Sequence, residues 1–188
     1  IWGSQQLPLL QGAKYDGVFA YWYGKGPGVD RSGDVFRHAN YAGTSRHGGV
    51  LAMAGDDHGC KSSTVPHQTE HLFKAVMMPV LAPSGVQDYL DLGMHGWAMS
   101  RYSGCWVAFK AVADTIESSA SVYIDPHRVN ITQPDYALPP GGLNIRWPDG
   151  FLEQEVRLLD WKVYAALAYV RANGLDRIVW DAPGARFG

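Results

Sequence analysis

Three short runs constrain this chain more than anything else in it. They are "GVFAYW" at residues 17–22, "GVLAMA" at 49–54 and "CWVAFK" at 105–110. Each is apolar almost throughout, with no alternation of apolar and polar positions. A strand with one wet face alternates with period two; a strand covered on both faces does not. Helix-length stretches separate the runs, so the pattern predicts an α/β fold with a parallel sheet flanked by helices. A hydrophobic content of 46% against 18% charged residues agrees with a packed core. At 188 residues the chain fits one ordinary domain, or one domain with an extension.

The helices are read from caps and periodicity. Ser32, with Asp34 in the first turn, predicts a helix to about Tyr41. Ser62 to Thr64 and Pro66 predict another, to about Val76. Met78 to Leu81 reads as a short strand. Ser84 and Gln87 have capping-box spacing, and Val86, Leu90, Met94 and Trp97 then share a face expected to meet the core. Gly93 and Gly96 would let a neighbour approach closely.

Composition changes after Asp125. "DPHRVNITQPDYALPPGGLNIRWPDG" carries five prolines and three glycines and is expected to be irregular, with one strand at 128–132. Leu152, Val156, Leu159, Val163, Leu167 and Val170 then mark a long amphipathic helix ending at Asn173-Gly174. "RIVWDAP" resembles the opening strand of a further unit. Residues 1–125 are thus read as the α/β domain, and residues 126–188 as a Pro/Gly-rich linker and helical extension leading to a following domain.

A net charge of −2 with scattered Lys and Arg argues against nucleic acid as a partner. No apolar run approaches the ~20 residues of a membrane helix. The start, Ile1-Trp2-Gly3, has neither a basic leader nor an initiator Met, so the chain is expected to be a piece of something longer. Cys60 and Cys105 are too few for a disulfide framework or an iron–sulfur cluster, and a reducing, cytoplasmic setting is the expectation. Seven tryptophans suit large buried contacts or an interface with other domains.

In open α/β sheets, ligands bind at the carboxyl ends of the strands. Two unusual segments follow the first two apolar runs: "YGKGPGVDRSGD" from Tyr23, and "GDDHGCKSST" from Gly55. The first matches neither a phosphate-binding P-loop nor a dinucleotide fingerprint, because its glycines and lysine are wrongly spaced. A tight turn with a solvated lysine explains it equally well. In the second, Asp56, Asp57 and His58 can titrate or bind a metal, and Lys61, Ser62 and Ser63 can donate to a carboxylate. Helix capping is the plainer explanation of the same residues. "HQTEH" at 67–71 satisfies the H-x-x-E-H zinc pattern, with His67 and His71 as ligands and Glu70 as base. It lacks an evident third ligand, and the expected metal set is none.

Five longer stretches carry a family resemblance: "WGSQQLPLLQGAKYDGVFAYWYGKGPGVDRSGDVFRHANYAGT", "GGVLAMAGDDHGCKSSTVPHQTE", "PVLAPSGVQDYLDLG", "SGCWVAFKAVADTIESSASV" and "PPGGLNIRWPD". Together they resemble the indolepyruvate ferredoxin oxidoreductase family in its large fused bacterial form. The resemblance implies a fold similar to the pyrimidine-binding domain of thiamine diphosphate enzymes. It implies a whole enzyme that oxidatively decarboxylates aryl 2-oxoacids such as indolepyruvate, with the cofactor as electron sink. Electrons would pass through [4Fe-4S] clusters to ferredoxin, and the acyl group to coenzyme A. Magnesium, the diphosphate and the clusters would be held by other domains of a homo-oligomeric enzyme. The glutamate that activates the pyrimidine in this family lies just before the "WGSQQ" stretch, outside this chain, so the chain alone is expected to be inactive.

On this chain the resemblance implies cofactor contacts from Tyr23, Gly24, Lys25, Gly26 and Gly28, the glycines letting backbone approach the aminopyrimidine ring. It implies catalytic roles for His58 and Lys61, and substrate contacts from Asp57, Lys61, Ser62 and Ser63. Two readings stand against it: a zinc-dependent hydrolase using His67, Glu70 and His71, and a non-catalytic interaction domain that keeps the fold.

Overall fold

The structure, a computed structural model, describes residues 1–147 and 149–187. A 3-10 helix, Trp2–Leu9, precedes strand β1 (Phe19–Lys25), helix α1 (Gly26–Ala42), β2 (Gly49–Asp56), α2 (Glu70–Ala75), β3 (Val80–Leu81), α3 (Val86–Ser103), β4 (Val107–Val112) and α4 (Ala113–Ile116). A long irregular stretch leads to α5 (Phe151–Arg157), a wide π turn (Leu158–Lys162) and α6 (Val163–Ala172). The four strands form one sheet in the order β1-β2-β4-β3, and each described pairing is parallel.

Side chains divide between the two faces of the sheet as the pleat dictates. Val50, Ala52 and Ala54 of β2, with Trp106 and Ala108, meet Val29, Phe36 and Ala39 of α1 and Phe73 of α2. On the other face Leu51, Val107 and Phe109 meet Met99 of α3 and Ala166 and Tyr169 of α6. Fully burying a side chain of the Val, Leu or Phe class is worth about 1.5–3 kcal/mol, so these two layers hold the sheet. Edge strand β1 is covered on one face only: Phe19, Tyr21 and Tyr23 remain exposed.

α1 begins at Gly26, directly after β1, and not at Ser32. Pro27 in its first turn explains the earlier start, since its fixed φ suits a helix and its missing N–H has no partner to lose there. α2 is shorter than the caps suggested, because the backbone from Asp57 to Thr69 is bound by carboxylates instead of continuing a helix. α3 buries Gly93, His95, Gly96, Met99, Ser100 and Ser103, while Leu90 and Met94 are exposed. The small residues decide this face. A Cβ on Gly96 would lie 2.5 Å from Leu51 Cδ1, so only glycine lets α3 sit this close to β2.

No strand forms at 128–132; Asn173, just past α6, instead binds both the N–H and the carbonyl of Thr132, at 2.8 Å each. The last helix packs on α3 and buries Leu158, Lys162, Ala165, Ala166 and Tyr169, not the expected stripe. Lys162 is fully buried, and its ammonium caps the end of α1 through the carbonyls of Asn40 (3.3 Å) and Tyr41 (2.9 Å). "RIVWDAP" forms no strand, and Ile178, Val179 and Trp180 lie in the open. Among the described residues no helix is long and apolar enough to cross a membrane.

Candidate functional site at the carboxyl edge of the sheet

The register places Lys25 beside Gly55, and Gly55 beside Ala111, so β1, β2 and β4 end side by side. The junction of β1 with α1 and the loop after β2 therefore meet on one edge. Between them and α4 lies a cavity of about 490 Å³, lined by Tyr23, Gly24, Lys25, Met53, Gly55, Asp56, Asp57, Ser62, Ala111, Ala113, Ile116 and Glu117.

The loop after β2 is built on Asp57. Its carboxylate accepts the backbone N–H of Lys61 (2.9 Å) and of Ser62 (2.6 Å), and the Ser62 hydroxyl (3.2 Å). These bonds, from Ser62 and Lys61 first, hold the Asp57 carboxyl below its usual range. The loop turns tightly enough to force Cys60 to a left-handed φ of 54°. Lys25 ties it to β1, donating to the Ser62 carbonyl (2.6 Å) and hydroxyl (3.2 Å).

Beneath the loop lies a buried charge cluster. Asp56 is almost wholly inaccessible and accepts the Thr69 N–H at 3.2 and 3.1 Å, which anchors the approach to α2. Lys110 Nζ lies 3.4 Å from Asp56 and 2.8 Å from Glu70. Burial works to raise the Glu70 carboxyl, but the Lys110 hydrogen bond and charge outweigh it, and the group sits below its usual range. His58 Nε2 is 3.8 Å from Asp56 Oδ2, with its ring half exposed.

The glycines of the first turn have a steric explanation. None of Gly24, Gly26 and Gly28 has a positive φ. A Cβ on Gly24 would lie 2.8 Å from the Trp22 ring, and one on Gly26 would run into the His67 imidazole. Backbone does approach aromatic rings here, and in this structure the rings are the chain's own. Gly28 has more room, its nearest neighbour being Trp22 at 3.9 Å.

Of the residues singled out in the sequence, Tyr23, Gly24, Lys25, Asp57 and Ser62 line the cavity; Gly26, Gly28, His58, Lys61 and Ser63 do not. Lys61 instead pairs with Asp114 at 2.6 Å, and that hydrogen bond raises its pKa. Gly55 and Asp56, in the second segment singled out, line the cavity too, whereas Met53, Ala111, Ala113, Ile116 and Glu117 were missed, as was the Lys110–Glu70 pair. The signal for Lys110, Ala111 and Ala113 was available: "KAVADT" closes the third apolar run and had to end on the same edge.

The H-x-x-E-H pattern does not make a helical pair. His67 lies before α2, bound through Nδ1 to the Val65 carbonyl at 3.1 Å, whereas Glu70 and His71 open the helix. Glu70 is engaged by Lys110. Among the described residues no three or more His, Cys, Asp or Glu side chains are placed to share a metal ion. Compared with protein-family models, with curated proteins and with solved structures, the chain gives no significant match to any of them.

Proposed function

We propose that this chain is the pyrimidine-side part of a thiamine diphosphate-dependent 2-oxoacid:ferredoxin oxidoreductase of the indolepyruvate type. The observation that carries the reading is the meeting of the end of β1 and the loop after β2 around one cavity at the carboxyl edge, where such a sheet binds ligands. The cavity suits a flat, cationic heteroaromatic group. Tyr23, Met53, Ala111 and Ile116 give apolar and aromatic walls, and Asp56, Asp57 and Glu117 supply carboxylates. Thiamine diphosphate, when bound, supplies the electron sink for losing carbon dioxide from a 2-oxoacid.

The chain's own residues do the rest. Gly24 and Gly55 keep the floor of the cavity free of side chains. Lys25 and Asp57 hold the Ser62 loop at its rim. The Asp56–Lys110 pair stiffens the end of β2. His58, half exposed beside Asp56, is placed to exchange a proton with solvent. Lys61, held by Asp114 outside the cavity lining, would reach a substrate carboxylate only by leaving that partner.

The test uses this chain joined to its neighbouring domains. Indolepyruvate and coenzyme A should reduce methyl viologen in a reaction that needs thiamine diphosphate and Mg²⁺. Gly55→Leu, which fills the cavity, should lower the rate at least about tenfold, the scale of one lost binding contact. An unchanged rate in that variant would move the site off this edge. A folded protein that oxidises no 2-oxoacid would favour an interaction domain.

A further inference from the structure

We propose that the outer face of the last helix joins two copies of this chain, packed antiparallel about a two-fold axis near residue 161. The fold leaves one stripe of this helix without a partner. Leu152, Val156, Leu159, Val163, Leu167 and Val170 recur at steps of three and four, the spacing that packs one helix against another. The domain core takes Leu158, Lys162, Ala165, Ala166 and Tyr169 in their place. Leu152 is 75% exposed; Val156, Leu159 and Leu167 are exposed as well, and only Val163 and Val170 are half-buried. The backbone stays helical through the π turn, so residues 151–172 form one rod roughly 30 Å long. A monomer seldom leaves a contiguous apolar face of that kind to water.

Symmetry identifies the occupant. Leu159 and Val163 lie two places either side of residue 161, and Leu152 and Val170 lie nine places either side. An antiparallel copy therefore sets Leu159 against Val163 and Leu152 against Val170, in both directions at once. The polar residues beside the stripe repeat the pattern one place along. Glu153 and Arg171 are equidistant from residue 162, and so are Asp160 and Tyr164. All four are exposed. Glu153 of one copy then meets Arg171 of the other, and Asp160 meets the Tyr164 hydroxyl.

The other charges of the helix are engaged inwards. Arg157 pairs with Asp149 at 2.7 Å, Glu155 accepts from the Tyr41 hydroxyl at 3.4 Å, and Lys162 is buried against the end of α1. The outer face is thus acidic in its N-terminal half and basic at its C-terminal end. Parallel copies would bring like charges together and align the helix dipoles; antiparallel copies relieve both. Two carboxylates beside the stripe also argue against a lipid surface, where such a helix carries Lys and Arg. Grooves extend the stripe at each end. One, of about 420 Å³, lies between Pro139, Pro140 and the α5 side chains Leu152 and Val156. The other, of about 240 Å³, lies between Met77, Met78, Val80 and the α6 side chains Leu167 and Val170. Under the two-fold, each groove lies beside the opposite end of the partner's stripe. None of this depends on the reading given to the carboxyl-edge cavity.

Sedimentation of the chain from about 1 to 100 µM tests this. A monomer–dimer equilibrium is expected, closed at two copies. Leu167→Glu alters an exposed side chain and should preserve the far-ultraviolet circular dichroism. It should weaken association at least about 100-fold, since the symmetry applies it twice. Glu153→Arg should weaken association about 2- to 30-fold, the range for two exposed ion pairs, and so should Arg171→Glu. The double variant should regain wild-type association, a recovery that damage to folding cannot produce. A monomer at every concentration, association that survives Leu167→Glu, polymers beyond the dimer, or a double variant no better than the singles would each overturn the proposal.

Discussion

Lys25 reaches across from the end of β1 to the carbonyl of Ser62, 2.6 Å away, and this bond joins the strand end to the loop after β2 at the carboxyl-edge cavity. Lys25→Met should free the loop after β2 without unfolding the domain. The bond is solvent-exposed, so its loss should cost less than about 1 kcal/mol of global stability. Amide exchange at residues 57–69 should nevertheless speed up, and unaltered protection there would show that Asp57 alone holds the loop.

Gly26 and His67 make a steric prediction. Gly26→Ala puts a methyl group into the imidazole and should destabilise by about 1–3 kcal/mol, the usual cost of overpacking. His67→Ala should recover most of that loss in the double variant. Urea denaturation of all four proteins closes the cycle. Additive effects would mean that the glycine is needed for some other reason.

Lys110→Met should leave Asp56 with a buried charge bound by the Thr69 N–H, with His58 the nearest remaining partner at 3.8 Å. A loss of about 3–5 kcal/mol is expected, the range for breaking a buried pair on one side. Asp56→Asn in the same protein should return part of it. Thermal melts at pH 7 read both.

Stability should depend on pH in a way set by two buried groups. Burial lowers the Lys162 pKa to about 8, so between pH 8 and 10.5 the folded state binds fewer protons than the unfolded, and stability rises with pH. Cys105 acts oppositely: burial pushes it up to about 11, so its contribution is lost as pH rises from 9. A gain on the order of 0.7 kcal/mol between pH 8 and 9 should therefore give way to a plateau. Lys162→Met should abolish the rise, and Cys105→Ala should extend it. Denaturant midpoints from pH 7 to 10 decide the matter.

The strands β2 and β4 were legible because burial on both faces leaves an unbroken apolar run; β1 was read the same way, although its alternate residues Phe19, Tyr21 and Tyr23 stay exposed and its run is apolar only because those residues are aromatic. The strand order was not legible, since β3 shows only Val80 and Leu81 and nothing local says that β4 inserts beside β2. The face of α3 was legible in part: Gly96 allows the close approach expected of it and Trp97 packs against the core, but Leu90 and Met94 lie exposed, because Ser100 and Ser103, beside Met99, take the inward positions expected of large residues. The last helix was misread for a related reason: its π turn and buried Lys162 break the assumption that apolar residues mark the inward side. At the carboxyl edge the loops were legible from residue type. The direction of Lys61, towards Asp114, depends on α4, which lies more than fifty residues further along.

Lys162 also sets a clock on biosynthesis. Its bond to Asn40 spans 122 residues of chain, so α1 leaves the ribosome with its last carbonyls bare and keeps them bare until the final helix follows. At about 5–20 residues per second that interval is roughly 6–24 seconds. Through that time the nascent sheet lacks the contribution of Tyr169 and Ala166 to one of its faces. The domain is thus completed only once residues 162–169 have emerged, and a stall upstream of residue 162 would expose a half-covered sheet to chaperones and proteases.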